Sequence, residues 1–192
     1  MKSVSFNRNN AKGFSLIELL LVLGVLAILL VAAFVVYPQV RDRNQANTEA
    51  SNLTSIKAGV NNLYASKGGN YTGLTAGVAN QARVFPASMN QGTYTDAAPI
   101  TSSWGGTVAV AVNGAATAAT RTPGGVIAAN RSFAITYSSV PDGVCLPLVS
   151  SAANNFQGVT VGTTEVLTST GFDPARAAAA CTGNANIIFT SN

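Results

Sequence analysis

Lys12-Gly13-Phe14-Ser15-Leu16-Ile17-Glu18-Leu19-Leu20-Leu21-Val22-Leu23 opens an apolar run that continues to Tyr37, with Glu18 as its one charge. In a bilayer an unpaired carboxylate costs about 2.5 to 3.5 kcal/mol near the centre of a span and less toward the interface. A compensating charge is therefore expected. Lys12-Gly13 ahead of Phe14 has the character of a leader's end, and a cut there creates a new α-amino group within reach of the carboxylate.

The segment reads poorly as an ordinary secretory signal. Leu19 to Tyr37 is longer than a typical apolar signal core, and no small-x-small cleavage site follows it. As a helix it is just long enough to cross a hydrocarbon core of about 30 Å. Lys2, Arg8 and Lys12 lie before it and mixed charges lie after it, which holds the N-terminus in the cytoplasm and places the bulk of the chain outside.

Helical patterning continues beyond Pro38. Ala46, Ala50, Leu53, Ile56, Val60 and Leu63 fall at three-or-four spacing and draw one apolar stripe, while Asn47, Glu49, Ser51, Asn52 and Lys57 read as the polar faces. Lys67-Gly68-Gly69 supplies a basic last turn and a helix stop. A single helix over 14–66 spans about 80 Å. Pro38 removes the amide bond toward Phe34, so a bent continuous helix and two helices joined at Tyr37-Pro38 are both compatible with the pattern.

Composition narrows the function. Of the 192 residues only 9% are charged, and Gly, Ala, Ser, Thr and Asn abound. Such a surface suits a protein that packs against copies of itself or faces an extracellular medium. The net charge of +4 is concentrated before Phe14; removal of that stretch leaves eight basic against seven acidic residues, with no nucleic-acid footprint. There is no histidine, the carboxylates are scattered, and no phosphate-binding loop occurs. An enzyme is not expected, nor is any cofactor or metal. Asp142 and Asp173 read as turn residues rather than a catalytic pair.

The residues from Lys12 to Leu23 resemble the class III leader and N-terminus of the type IV pilins. They combine a short basic leader, a glycine before the cut, a hydrophobic first residue, and a glutamate fifth in the processed chain. The resemblance implies that prepilin peptidase cuts after Gly13 and methylates the amine of Phe14, and that Glu18 serves assembly. Ser51 to Tyr64, the helix exit at Gly69-Asn70-Tyr71, and Ser132-Phe133-Ala134-Ile135 leading to Cys145 are similar to type IVb major pilins such as the toxin-coregulated and bundle-forming pilins. The division implied is a leader over 1–13, a transmembrane and filament-core half-helix over 14–38, and a periplasmic or extracellular head over 39–192. The implied protein is an inner-membrane prepilin that becomes part of an extracellular pilus. Its partners would be copies of itself in a helical filament, prepilin peptidase, the inner-membrane assembly machinery, the membrane through residues 14–37, and a host-cell or bacterial-surface receptor. A minor pilin or a secretion-type pseudopilin shares the processing signal and stays open as the alternative. Gly24 and Pro38 are places where the helix can bend or partly melt during packing.

The expected architecture is α+β, the type IV pilin fold: the long helix, half exposed and apolar, half packed, against an antiparallel sheet. Thr107–Val112, Ser132–Tyr137, Val144–Val149, Val159–Leu167 and Asn186–Phe189 read as strands. Gly124-Gly125, Pro141-Asp142-Gly143 and Gly171-Phe172-Asp173-Pro174 read as turns, and Asn113 to Thr120 as an exposed loop. Ala175–Ala180 reads as a short helix with Pro174 at its first position, and Trp104, Phe156 and Phe172 as core or loop anchors. An export-like N-terminus makes a disulfide the expected state of Cys145 and Cys181, tying that helix to a strand. Free buried thiols and half of a metal site are the other states open to them.

Overall fold

The computed structural model describes residues 13–118 and 126–192. The basic leader residues Lys2, Arg8 and Lys12, residues 119–120 of the expected loop and the Gly124-Gly125 turn lie outside the described residues. The chain divides into two units, Met1–Gln39 and Val40–Asn192. Helix α1 (Leu16–Leu63) runs through Pro38 as one helix, so of the two readings the continuous one holds. A 3-10 turn, Ala65–Lys67, follows. Gly68 then stops it in the left-handed conformation at φ 59°, where a side chain would be strained.

In the second unit the helix stripe meets a sheet. Helices α2 (Ala76–Gln81) and α3 (Ala87–Asn90) come first, followed by strands β1 (Val108–Val112), β2 (Thr117–Ala118), β3 (Val126–Ile127) and β4 (Phe133–Val140). Helix α4 (Asp142–Ala152) leads to β5 (Gly158–Val161), β6 (Thr164–Glu165), β7 (Leu167–Thr168) and β8 (Gly171–Phe172). Helix α5 (Pro174–Ala180) and strand β9 (Ala185–Ser191) end the chain. The main sheet is antiparallel with order β1-β4-β9-β5-β6, so the C-terminal strand is paired on both sides. Alternation puts Phe133, Ile135, Tyr137, Ile187 and Phe189 on one face, all fully buried, with Leu53, Ile56 and Val60 of α1 in the same core cluster. Aromatic contacts link Tyr64 to Tyr71, Tyr71 to Phe133, Tyr137 to Phe189 and Phe156 to Phe189, with ring centroids 4.8–6.3 Å apart.

Several sequence expectations need correction. Val144–Val149 is not a strand but the body of α4, and Pro141-Asp142-Gly143 is not a turn but its start. A short apolar run has no period of its own to separate a buried strand from a buried helix. Here Pro141 at the N-cap and Asp142 in the first turn are helix-start signals. Val159–Leu167 is three elements, because Gly162 takes φ 61° and turns the chain between β5 and β6. Leu63, assigned to the apolar stripe, is 39% exposed. Thr117–Ala118, in the expected loop, pairs with β3. The Gly171–Pro174 turn is instead β8 followed by the start of α5. Asp173 caps that helix, accepting from the amides of Ala175 and Arg176 at 3.0 and 3.1 Å, with Pro174 in the first position. A disulfide joins Cys145 and Cys181, Cα atoms 5.7 Å apart, and so ties the end of α5 to α4 rather than to a strand. Closing a loop of this size stabilises the fold by about 4 kcal/mol on the chain-entropy account.

Candidate assembly site

The N-terminal unit presents apolar surface without cover. Phe14, Leu20, Leu30, Phe34 and Tyr37 are all more than half exposed. By length and composition α1 is long and apolar enough to cross a membrane. Gly13 is exposed and precedes the helix, as does Phe14. Glu18 lies in the first turn of α1, one helical turn beyond Phe14, where the positive end of the helix dipole favours a carboxylate. Among the described residues nothing lies within 4 Å of a Cβ placed on Gly24, so none of them requires a glycine there. The chain thus brings Phe14 and Glu18 onto one exposed end and keeps both far in sequence from the Cys145–Cys181 bridge.

In the head, the polar side chain with the most consequence is one that the sequence pattern misassigns. Glu49, read as part of a polar face, is 1% exposed. One carboxylate oxygen accepts from the Ser103 amide at 2.7 Å; the other accepts from the Tyr137 hydroxyl and from Asn52 Nδ2, both at 3.2 Å. One turn earlier, Gln45 Nε2 donates to the Ser103 carbonyl at 3.4 Å. Two residues of α1 therefore grip both backbone polar groups of one residue, Ser103. Trp104 completes the node by packing on Tyr137, centroids 5.7 Å apart, and donating to the Ser138 carbonyl at 3.2 Å. A signal for Glu49 was available: the buried positions 46, 49, 53, 56 and 60 alternate by three and four, and Glu49 completes that series.

Burial raises the Tyr137 hydroxyl well above its usual value near 10, and the neighbouring Glu49 charge and hydrogen bond push it the same way. Burial also raises Tyr64 and Tyr71. Below pH 10 these phenols are neutral in both the folded and the unfolded chain. Above it the unfolded chain releases protons that the folded one keeps. Stability is then expected to fall by up to about 1.4 kcal/mol per pH unit through Tyr137, from pH 10 toward its folded value. Denaturant titrations between pH 8 and 11.5 should show a flat region and then a decline, and Tyr137→Phe should lessen the slope.

A long apolar-then-amphipathic α1, an antiparallel sheet on its second half and a disulfide-tied C-terminal region define a type IV pilin, a structural subunit with a membrane-anchoring helix. The chain belongs to the family described as PilS N terminal, whose model matches residues 43–192. A prokaryotic N-terminal methylation motif matches residues 8–34. Among solved structures the chain is similar to TcpA, a type IV pilin from Vibrio cholerae El Tor biotype, at 18% identity and a TM-score of 0.46, covering 79% of this chain and 99% of that one. No curated protein matches the chain. The first half of α1 is long and apolar enough to anchor such a subunit in a membrane.

Proposed function

We propose that the protein polymerises as the major subunit of a type IVb pilus after prepilin peptidase cuts after Gly13 and methylates Phe14. The observation that carries this reading is the pairing of an exposed apolar half-helix with a carboxylate in its first turn. Residues 14–38 anchor the subunit and then bundle in the fibre, where burial of apolar surface at about 25 cal/mol per Å² drives association without choosing a register. Glu18 supplies the register by pairing with the Phe14 amine of an adjacent copy. Gly24 and Pro38 give the helix room to bend. Residues 39–192 form the head, and the assembly machinery of the inner membrane extracts the processed subunit.

Mass spectrometry of surface filaments tests this directly. The dominant protein should be this chain, and its N-terminal peptide should begin at Phe14 and carry the extra mass of one methyl group. A fibre dominated by another subunit would point instead to a minor pilin or a pseudopilin. An uncut N-terminus would remove the Glu18 partner altogether.

A further inference from the structure

Asn113-Gly114 is the one place in the chain where glycine follows asparagine. The pair has a chemistry of its own, because the amide nitrogen of the following residue can attack the asparagine carboxamide, and glycine has no Cβ to obstruct the approach. The fold holds one half of the pair and leaves the other free. Asn113 lies just beyond β1, where its amide donates to the Ser132 carbonyl and its carbonyl accepts from the Asn130 amide, both at 2.9 Å. Its side-chain nitrogen donates to the hydroxyl of the fully buried Ser132, also at 2.9 Å. Gly114 is exposed, and among the described residues nothing accepts from its amide. Asn70 shows the opposite arrangement: it too is exposed, but a tyrosine follows it, and the Tyr71 amide is committed to the Asn130 carbonyl at 2.9 Å.

We propose that Asn113 deamidates in the folded head through a succinimide formed with Gly114, and that Ser132 assists by protonating the leaving nitrogen. The Gly114 nitrogen loses its proton to water and bonds to Asn113 Cγ. In the tetrahedral intermediate Nδ2 is no longer a planar amide but a basic amine, and the Ser132 hydroxyl, already within hydrogen-bond reach, rotates to donate to it. The Cγ–Nδ2 bond breaks and ammonia leaves, completed by the serine proton, which water restores. Water then opens the ring at either carbonyl, giving aspartate or, with the main chain rerouted through the side-chain carbon, isoaspartate. Water is the only co-reactant. Holding the carboxamide in place removes part of the entropy cost of ring closure.

The products change the head in two ways. Either one adds a carboxylate, so the acidic residues after Gly13 rise from seven to eight and equal the basic ones. Isoaspartate also inserts a methylene into the main chain beside Val112, which pairs with Phe133 at the end of β1, so the bonds from Asn113 to Ser132 and to Asn130 no longer fit together in register. The chemistry needs only the folded head and is independent of the polymerisation proposed above.

The test incubates the full-length protein in detergent at neutral pH and physiological temperature, followed by digestion and mass spectrometry. The peptide containing Asn113 should gain one mass unit over days and split into two products of equal mass on chromatography, while the peptide containing Asn70 stays unchanged. Among the described residues nothing lies within 4 Å of a Cβ placed on Gly114, and its backbone is not left-handed, so Gly114→Ala should keep the fold. That variant should slow the gain at least about tenfold, equivalent to a barrier raised by about 1.4 kcal/mol. Ser132→Ala should slow it in the folded protein yet match wild type in urea, which separates assistance by the fold from the reactivity of the dipeptide. Should Ser132→Ala fail to fold, Ser132→Thr, which keeps the hydroxyl, should retain the wild-type rate. A folded wild type that gains no mass, a gain as fast in Gly114→Ala, or equal rates in folded Ser132→Ala and wild type would each overturn the proposal.

Discussion

Replacing Glu18 with alanine is expected to abolish pili while leaving the subunit in the membrane and its leader cut. The substitution removes the one charge from an apolar segment, so insertion becomes easier rather than harder. Cleavage depends on the stretch around Gly13 and Phe14, which the substitution leaves intact. Assembly is the step that suffers. In a fibre core the Phe14 amine would be buried without its counter-ion, and breaking one side of a buried pair costs about 3 to 5 kcal/mol. At 1.4 kcal/mol per tenfold, each subunit addition becomes at least a hundredfold less favourable. Glu18→Gln should fail almost as badly, because it keeps the shape and a hydrogen-bonding group but not the charge. Immunoblots of inner-membrane fractions should show the shortened chain at its normal level, and electron microscopy should show bare cells. Normal fibre numbers for Glu18→Ala would remove Glu18 from the assembly mechanism.

The parts of the fold legible in the sequence are those with a period. The apolar run to Tyr37 and the stripe through Leu53, Ile56 and Val60 mark α1, and strict alternation marks β1 and β4. Asp173-Pro174 marks the start of α5 because a cap and a proline at the first position have a local cause. What was not legible depends on partners distant in sequence. Val144 to Val149 is apolar on every side because α4 is largely buried, and that erases the difference between helix and strand. Residues 71–106 have short helices and little period. What orders them includes Asn80, whose side-chain amide donates to the carbonyls of Thr93 and Thr95 at 3.0 and 2.8 Å and accepts from Asn90 at 2.7 Å. Glu49 illustrates the same limit. A glutamate on a helix is by default solvated, and only a facing amide and phenol, 54 and 88 residues away, make burial affordable.

That dependence makes Glu49 the residue on which the stability of the head should turn most sharply. Its carboxylate joins three parts of the fold: α1 itself, the segment before β1 through Ser103, and the centre of the sheet through Tyr137. Glu49→Ala leaves the Ser103 amide and the Tyr137 hydroxyl, on whose ring Trp104 packs, without their acceptor inside the protein. Each buried donor left unsatisfied costs about 1 to 3 kcal/mol, so the two together take a large share of the 5 to 15 kcal/mol typical of a whole domain. Glu49→Gln should cost less, about 1 to 2 kcal/mol, because the amide oxygen still accepts from Ser103 and the Tyr137 hydroxyl can accept from the new amide nitrogen. Trp104 is the only tryptophan in the chain and sits in the node, so its fluorescence reports on this contact as well as on global unfolding. In urea titrations of the full-length protein in detergent, Glu49→Ala should lower the midpoint strongly and shift Trp104 emission to the red before the main transition, with Glu49→Gln between it and wild type. Equal loss in both variants would mean that the charge matters and the hydrogen-bond geometry does not, whereas a change below about 1 kcal/mol in Glu49→Ala would mean that the segment before β1 is held by its apolar contacts alone.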